Sequence, residues 1–170
     1  MNIFLSGGKR AGKSTVIERF LKEYRGTVGG FRTVRTKTFL DSFFGVYLTD
    51  VQDRQPSVLL EARAGCCNPD GSSICYPNAF EVRGVSLLTQ SPMPSLIVMD
   101  ELGVLEENCS RFQKAVINCL DAQANVLGVI KQKSSPFLDC VRARDDVMIL
   151  NMDENTRSDA FASIRILLCS

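Results

Sequence analysis

A glycine-rich segment near the amino terminus constrains the fold more than any other feature of this chain. Residues 7–14 read Gly-Gly-Lys-Arg-Ala-Gly-Lys-Ser and match the pattern G-x-x-x-x-G-K-[ST] in full. An apolar run over 1–6 precedes the segment, and an amphipathic helix predicted over 13–24 follows it. A glycine loop between a buried strand and a helix directs backbone N–H groups at phosphate oxygens. The pattern therefore predicts an α/β domain with a phosphate-binding loop.

Each residue type in this loop has a chemical reason. Glycine lets the backbone approach a phosphate closely, Lys13 is expected to reach the β- and γ-phosphates, and the Ser14 hydroxyl is expected to ligate Mg²⁺. We expect contacts to the nucleotide from Gly7, Gly8, Lys9, Arg10, Ala11, Gly12, Lys13, Ser14 and Thr15.

A second segment complements the loop. Ser95–Met99 is an apolar strand that leads directly into Asp100 and Glu101. In open α/β sheets, ligands bind at the carboxyl ends of the strands, so both acids are expected at the nucleotide. Asp100 is predicted to hold Mg²⁺ together with Ser14, and Glu101 to orient and deprotonate a water in line with the γ-phosphate.

The carboxyl-terminal half alternates strands and helices. This alternation predicts a mostly parallel sheet with helices on both faces. The predicted strands cover 95–99, 125–131 and 147–151, and the predicted helices cover 109–122, 135–143 and 156–168.

The stretch between the first helix and Ser95 has a different character. β-rich runs without intervening helices predict an antiparallel insertion around 31–64. Its strands are predicted over 31–37, 43–50 and 57–64, with a turn at Leu40-Asp41-Ser42 and a loop over 65–77. A helix is predicted from 78 to 90, with Asn78 and Glu81 forming a capping box.

Composition narrows the class of protein. With 170 residues and 45% apolar content, we expect a single domain over 1–170. A net charge of +1 argues against nucleic-acid binding through bulk charge, and no apolar run is long enough to span a membrane. The chain has no histidine, and its seven cysteines include no C-x-x-C pair, which favours reduced thiols in a cytoplasmic protein.

The chain resembles a known family at several motifs. They are the amino-terminal loop, the segment Asp100–Glu106, and Lys131–Phe137, with Gly30-Phe31 and Asn155–Asp159 in keeping with them. These segments look like those of the small P-loop nucleoside-triphosphatases, described as thermophile nucleotide phosphatases and, in animals, as cancer-related nucleoside-triphosphatases. The resemblance covers nearly the whole chain, with 40–92 poorly matched.

The resemblance implies a RecA-like P-loop core and Mg²⁺-dependent hydrolysis of ATP, GTP and other nucleoside triphosphates to the diphosphate. It also implies phosphate and metal contacts from the loop, Asp100 as a metal ligand and Glu101 as the base. We expect a monomer or a weak oligomer. The family segment is typically D-E-I-G-K-M-E, and Val104 stands here in place of its lysine. The segment before Ser-Pro-Phe often carries His or Arg, and here it is Lys131-Gln132-Lys133.

Two questions stay open at the level of sequence. A cation that stabilises the transferred phosphate could be Lys131, Lys133, Arg142 or Arg144. A small kinase for a nucleoside, nucleotide or other metabolite, or a slow ATP-binding switch, would use the same loop. The adjacent pair Asp100-Glu101 favours hydrolysis, because hydrolysis needs a group that activates water.

Overall fold

The computed structural model describes residues 1–37, 44–53, 60–67 and 72–169, and the predicted turn at Leu40-Asp41-Ser42 lies outside them. The described strands are β1 (Asn2–Gly7), β2 (Val28–Lys37), β3 (Phe44–Asp50), β4 (Arg63–Cys67), β5 (Ser73–Cys75), β6 (Leu96–Leu102), β7 (Asn125–Ile130) and β8 (Val147–Met152). The described helices are α1 (Lys13–Glu23), α2 (Val85–Leu88), α3 (Ser110–Leu120), α4 (Pro136–Arg142) and α5 (Arg157–Leu168), with a 3₁₀ turn at Leu60–Ala62 and a π-helix at Ala79–Gly84.

The strands form one sheet in the order β5-β4-β3-β2-β6-β7-β1-β8. The five strands β2, β6, β7, β1 and β8 pair in parallel, as Leu5 with Val129 and Leu5 with Leu150 show. β3, β4 and β5 continue from β2 as an antiparallel extension. The predicted α/β fold with a mostly parallel sheet and an antiparallel insertion is therefore confirmed.

Helices cover both faces of the sheet. α1 and α5 lie on one face, where Phe20, Val98 and Ile164 belong to one buried cluster. α3, α4 and the π-helix lie on the other face, where Phe31 and Phe112 are fully buried. The predicted inward residues of α3 and α5 are all buried: Phe112, Val116, Leu120, Phe161, Ile164 and Leu168. The alternation of apolar residues along the chain thus builds a three-layer core.

The antiparallel extension reaches further along the chain than the sequence predicts. The predicted strand over 57–64 falls partly outside the described residues, and its described part is the 3₁₀ turn followed by the start of β4. The prediction of a loop over 65–77 is wrong, because β4 and β5 pair there, with Gly65 opposite Cys75. The glycine, cysteine and serine content of this segment favours a loop, but backbone pairing to β3 holds β4 extended.

The predicted capping box is also wrong. Asn78 has helical backbone angles and its side chain makes no capping bond. The helix that follows is a π-helix for six residues before it continues as α2. The Glu81 carboxylate instead accepts from the backbone N–H of Arg111, so it caps the neighbouring helix α3.

Candidate active site

The phosphate-binding loop joins β1 to α1, as the sequence predicts. Gly12 precedes α1 with a φ of +87°, in the left-handed region that favours glycine. Gly7 passes so close to β8 that a Cβ there would lie 2.1 Å from the carbonyl oxygen of Met152. Close passage and a left-handed turn together explain why the loop needs glycine at both ends.

The remaining loop residues follow from this path. Arg10 also has a left-handed φ, +69°, and its side chain is exposed. Ala11 is buried beneath the loop, and its N–H donates to the carbonyl oxygen of Gly8. Gly8, Lys9, Ser14 and Thr15 are exposed. The outer side of the loop is therefore open to a ligand.

Lys13 lies over the loop. Its ammonium donates to the carbonyl oxygens of Gly7, at 2.9 Å, and Gly8, at 2.7 Å. These bonds place a positive charge within the curve of the loop, at the amino end of α1. The helix dipole adds to the same positive potential, so this position attracts an anion.

A residue far along the chain anchors the loop. Arg157, at the start of α5, donates from Nε to the carbonyl oxygen of Ala11 at 2.8 Å and from Nη2 to that of Arg10 at 3.1 Å. Sequence reasoning missed this role. The available signals were the segment Asn155–Asp159 and its position after β8, the strand that pairs with β1.

Asp100 stands on β6, two strands from β1, and β7 lies between them. Burial raises the pKa of the Asp100 carboxyl to about 6, the neighbouring Ser14 hydroxyl opposes that rise, and the charge of Glu101 adds to it. Ser14 and Asp100, which lie 86 residues apart in the sequence, are thus brought side by side. Both acids lie near the carboxyl end of β6, at the edge of the sheet where the loop lies.

Glu101 is held by two cations. Its Oε1 atom accepts from Arg35 Nη2, at 3.4 Å, and lies 3.1 Å from Lys131 Nζ. Arg35 comes from β2 and Lys131 follows β7, the strands on either side of β6. Sequence reasoning named Lys131 as a candidate cation but did not single out Arg35, because β-strand alternation alone did not show which face Arg35 occupies.

Two of the other candidate cations, Arg142 and Arg144, have structural partners. Arg142 pairs with Asp139 at 2.7 Å and donates to the carbonyl oxygens of Lys131 and Lys133, so it shapes the segment after β7. The Lys133 side chain is exposed. Arg144 pairs with Asp121 and Asp146 beside Asn2, at the amino ends of the strands. Arg144 therefore lies at the opposite edge of the sheet from the loop.

The cysteines do not form a metal centre. All seven are free thiols. Within 1–37, 44–53, 60–67 and 72–169, no group of three or more Cys, Asp or Glu residues is arranged to hold a metal ion. Burial raises the pKa of the Cys109 thiol to about 12 and that of Cys119 to about 11, which keeps both protonated at neutral pH. Among the described helices, none has the length and apolar character needed to cross a bilayer.

Known proteins are similar to this chain in sequence or in structure over nearly its whole length. The NTPase family model matches residues 2–165. The nucleoside-triphosphatase THEP1 of Thermotoga maritima is 26% identical over 99% of this chain and 95% of the relative, and that of Natranaerobius thermophilus is 27% identical over 93% and 90%. The crystal structure of THEP1 from Aquifex aeolicus superposes with a TM-score of 0.72 at 17% identity, covering 99% of each chain, which shows a common fold.

Proposed function

The chain belongs to the NTPase family, and from this premise we propose that it is a Mg²⁺-dependent nucleoside-triphosphatase. The substrates are nucleoside 5′-triphosphates, ATP, GTP and others, and the products are the nucleoside diphosphate and phosphate. The observation that carries the proposal is the meeting of Lys13 and Ser14 with Asp100 and Glu101 at one edge of the sheet. The names of the THEP1 relatives support the same activity.

The residues present fit a magnesium ion. Mg²⁺ takes oxygen ligands, and Ser14 and Asp100 offer a hydroxyl and a carboxylate side by side. Asp100 is half-buried, and burial together with the charges of Glu101 and Glu18 raises the pKa of its carboxyl, so a cation beside it would be stabilised. A bound Mg²⁺ would neutralise charge on the β- and γ-phosphates. Ser14 and Asp100 are the residues that would hold it.

The chain's own groups account for binding. The backbone N–H groups of the loop and the amino end of α1 attract the phosphates. The Lys13 ammonium, now on the carbonyl oxygens of Gly7 and Gly8, is the charge that meets the β- and γ-phosphates. Exposed Lys9, Arg10 and Thr15 border the same space.

Glu101 supplies the base. Arg35 donates to its Oε1 atom and Lys131 Nζ lies 3.1 Å from that same oxygen, which leaves Oε2 as the oxygen for a water. We assign to Oε2 the proton of a water that attacks the γ-phosphorus. As the new P–O bond forms, the bond from the γ-phosphorus to the bridging oxygen breaks and the diphosphate leaves with that electron pair.

The test measures phosphate release from ATP, GTP, CTP and UTP with Mg²⁺ and without any acceptor. We expect the wild-type protein to release phosphate from several nucleotides. In Glu101→Gln the rate of release should fall at least tenfold. Glu107→Gln is the matched control, because Glu107 is exposed and lies beyond the end of β6. Release that requires an added acceptor would instead show a kinase, and equal rates in wild type and Glu101→Gln would contradict the role of Glu101.

A further inference from the structure

Glu101 has two cationic neighbours, Lys131 and Arg35. Both cations around Glu101 contact the same oxygen, Oε1, Lys131 at 3.1 Å and Arg35 at 3.4 Å. One of them is therefore sufficient to orient the carboxylate. The side chains of Lys131 and Arg35 are 28% and 40% exposed, so neither cation is fully enclosed by the protein.

The register of the sheet places Lys131 next to the phosphate-binding loop. Val129 on β7 pairs with Leu5 on β1, and Lys131 lies two residues beyond that pair, as Gly7 does on β1. β7 lies directly between β1 and β6. Lys131 thus emerges between the loop and Glu101, whereas Arg35 comes from β2, on the far side of β6 from the loop.

The Lys131 side chain packs against the backbone of Gly103. A Cβ on Gly103 would lie 3.1 Å from Lys131 Cδ and 3.2 Å from Lys131 Nζ. The stem of Lys131 therefore crosses the bare backbone of Gly103. The backbone N–H of Lys131 donates to the carbonyl oxygen of Leu102, which fixes the start of that stem.

We propose that Lys131 is a catalytic residue that leaves Glu101 and binds the terminal phosphate of a bound nucleoside triphosphate. This inference rests on the proposed nucleoside-triphosphatase function. Arg35 stays on Glu101 Oε1 and keeps the carboxylate oriented after Lys131 has moved. A nucleoside diphosphate has no terminal phosphate at that position, so Lys131 remains on Glu101 when the diphosphate is bound.

The direction of the exchange follows from charge. The terminal phosphate carries more negative charge than one carboxylate, and it lies among protein groups that exclude part of the water. Lysine suits the exchange because its ammonium is a compact charge on a flexible stem. The transfer also removes one cation from Glu101 at the moment when that carboxylate must accept a proton. Substrate binding and activation of the base are thereby linked through one side chain.

The experiment compares the binding of two nucleotides in the presence of Mg²⁺. Dissociation constants are measured for ADP and for an ATP analogue with a non-hydrolysable β–γ linkage. In Lys131→Met we expect at least tenfold weaker binding of the analogue, less than twofold change for ADP, and at least tenfold lower kcat. Lys131→Arg keeps the charge and is expected to restore most of the preference for the triphosphate.

Lys114→Met is the matched control, since Lys114 is an exposed lysine on α3 and lies outside the site. Unchanged binding of the analogue in Lys131→Met, or equal weakening for ADP and the analogue, would overturn the assignment. The binding comparison does not depend on turnover. A wild-type protein that releases no phosphate refutes the proposed function, whereas the two dissociation constants still decide the position of Lys131.

Discussion

Arg157 and Ala11 are separated by 146 residues, and a hydrogen bond of 2.8 Å joins the Nε of one to the carbonyl oxygen of the other. The bond connects the first turn of α5 to the phosphate-binding loop. The two parts also interlock by shape, because a Cβ on Gly12 would lie 2.6 Å from the same Nε. The carboxyl-terminal helix is therefore part of the support of the nucleotide site.

Replacing Arg157 by methionine tests this support. The variant loses the donors to the carbonyl oxygens of Ala11 and Arg10 and loosens the loop before any phosphate is bound. We expect about tenfold weaker binding of ADP and of ATP alike, equivalent to about 1.4 kcal/mol. Isothermal titration calorimetry with each nucleotide provides the measurement.

Arg165→Met is the control for that variant. Arg165 lies on the same helix, is 60% exposed and pairs with Glu23 at 3.9 Å. A surface pair of this kind contributes little, so nucleotide affinity should not change. If Arg157→Met binds both nucleotides as tightly as the wild type does, the anchoring role is wrong.

The buried carboxyl of Glu106 should make the free energy of unfolding depend on pH. Glu106 is 2% exposed, and burial raises the pKa of its carboxyl from 4.5 to about 7, although the Gly103 N–H and the charge of Lys131 oppose the rise. Between pH 4.5 and 7 the unfolded chain releases this proton while the native chain retains it. Native stability therefore falls across this window, by about 3 kcal/mol from this group.

Glu106→Gln removes that loss. The glutamine keeps an oxygen for the Gly103 N–H, so the variant should gain free energy of unfolding relative to wild type as pH rises from 5 to 8. Urea unfolding at several pH values measures the difference. Glu107→Gln, at an exposed neighbour, should run parallel to wild type. A constant difference between Glu106→Gln and wild type at all pH values would contradict the prediction.

Patterns that are local in sequence predict their structures well here. The loop from Gly7 to Ser14, the apolar strand ending at Asp100 and the inward residues of α3 are determined by residue types at short spacing. The parallel sheet follows from the alternation of such units. Ser14 and Asp100 meet because the carboxyl ends of parallel strands share one edge.

Features that depend on distant partners could not be predicted in the same way. From sequence, Arg157 is only a polar residue at the start of a helix. Its contact with the loop follows from the pairing of β8 with β1, which the sequence does not show. Glu81 has the spacing of a capping box, yet the backbone N–H it contacts belongs to Arg111, 30 residues later. The strand Arg63–Cys67 has weak β propensity and is held extended by pairing to β3.

The π-helix packs closely against α3 at Gly84, and a substitution there tests how much this packing contributes to stability. Gly84 lies against Phe112, and a Cβ there would meet the ring atoms Cδ2 and Cε2 at 2.7 Å. The Phe112 ring is fully buried and contacts Phe31 and Phe80, so it cannot move aside freely. Gly84→Ala should lower the free energy of unfolding by about 1–3 kcal/mol in urea titrations. Ser86→Ala, at an exposed position of α2, should stay within about 0.5 kcal/mol of wild type.

Arg35 should affect turnover and leave affinity and stability nearly unchanged. Its guanidinium is 40% exposed and contacts Glu101 Oε1 at 3.4 Å, and an exposed pair of this kind contributes little to the free energy of unfolding. It stands on β2, beyond β6 from the loop, so it does not approach the phosphates through the register of the sheet. Orientation of the base, however, affects the reaction only in the transition state, and a misplaced carboxylate lowers kcat.

Arg35→Met is therefore expected to reduce kcat for ATP about tenfold, with KM changed less than twofold and the urea midpoint unchanged. Arg25→Met, at an exposed position after α1, provides a charge-matched control with wild-type kinetics. Steady-state phosphate release over a range of ATP concentrations separates the two constants. A rise in KM at constant kcat would place Arg35 on the substrate, and it would remove the reason for treating Arg35 as the residue that orients Glu101.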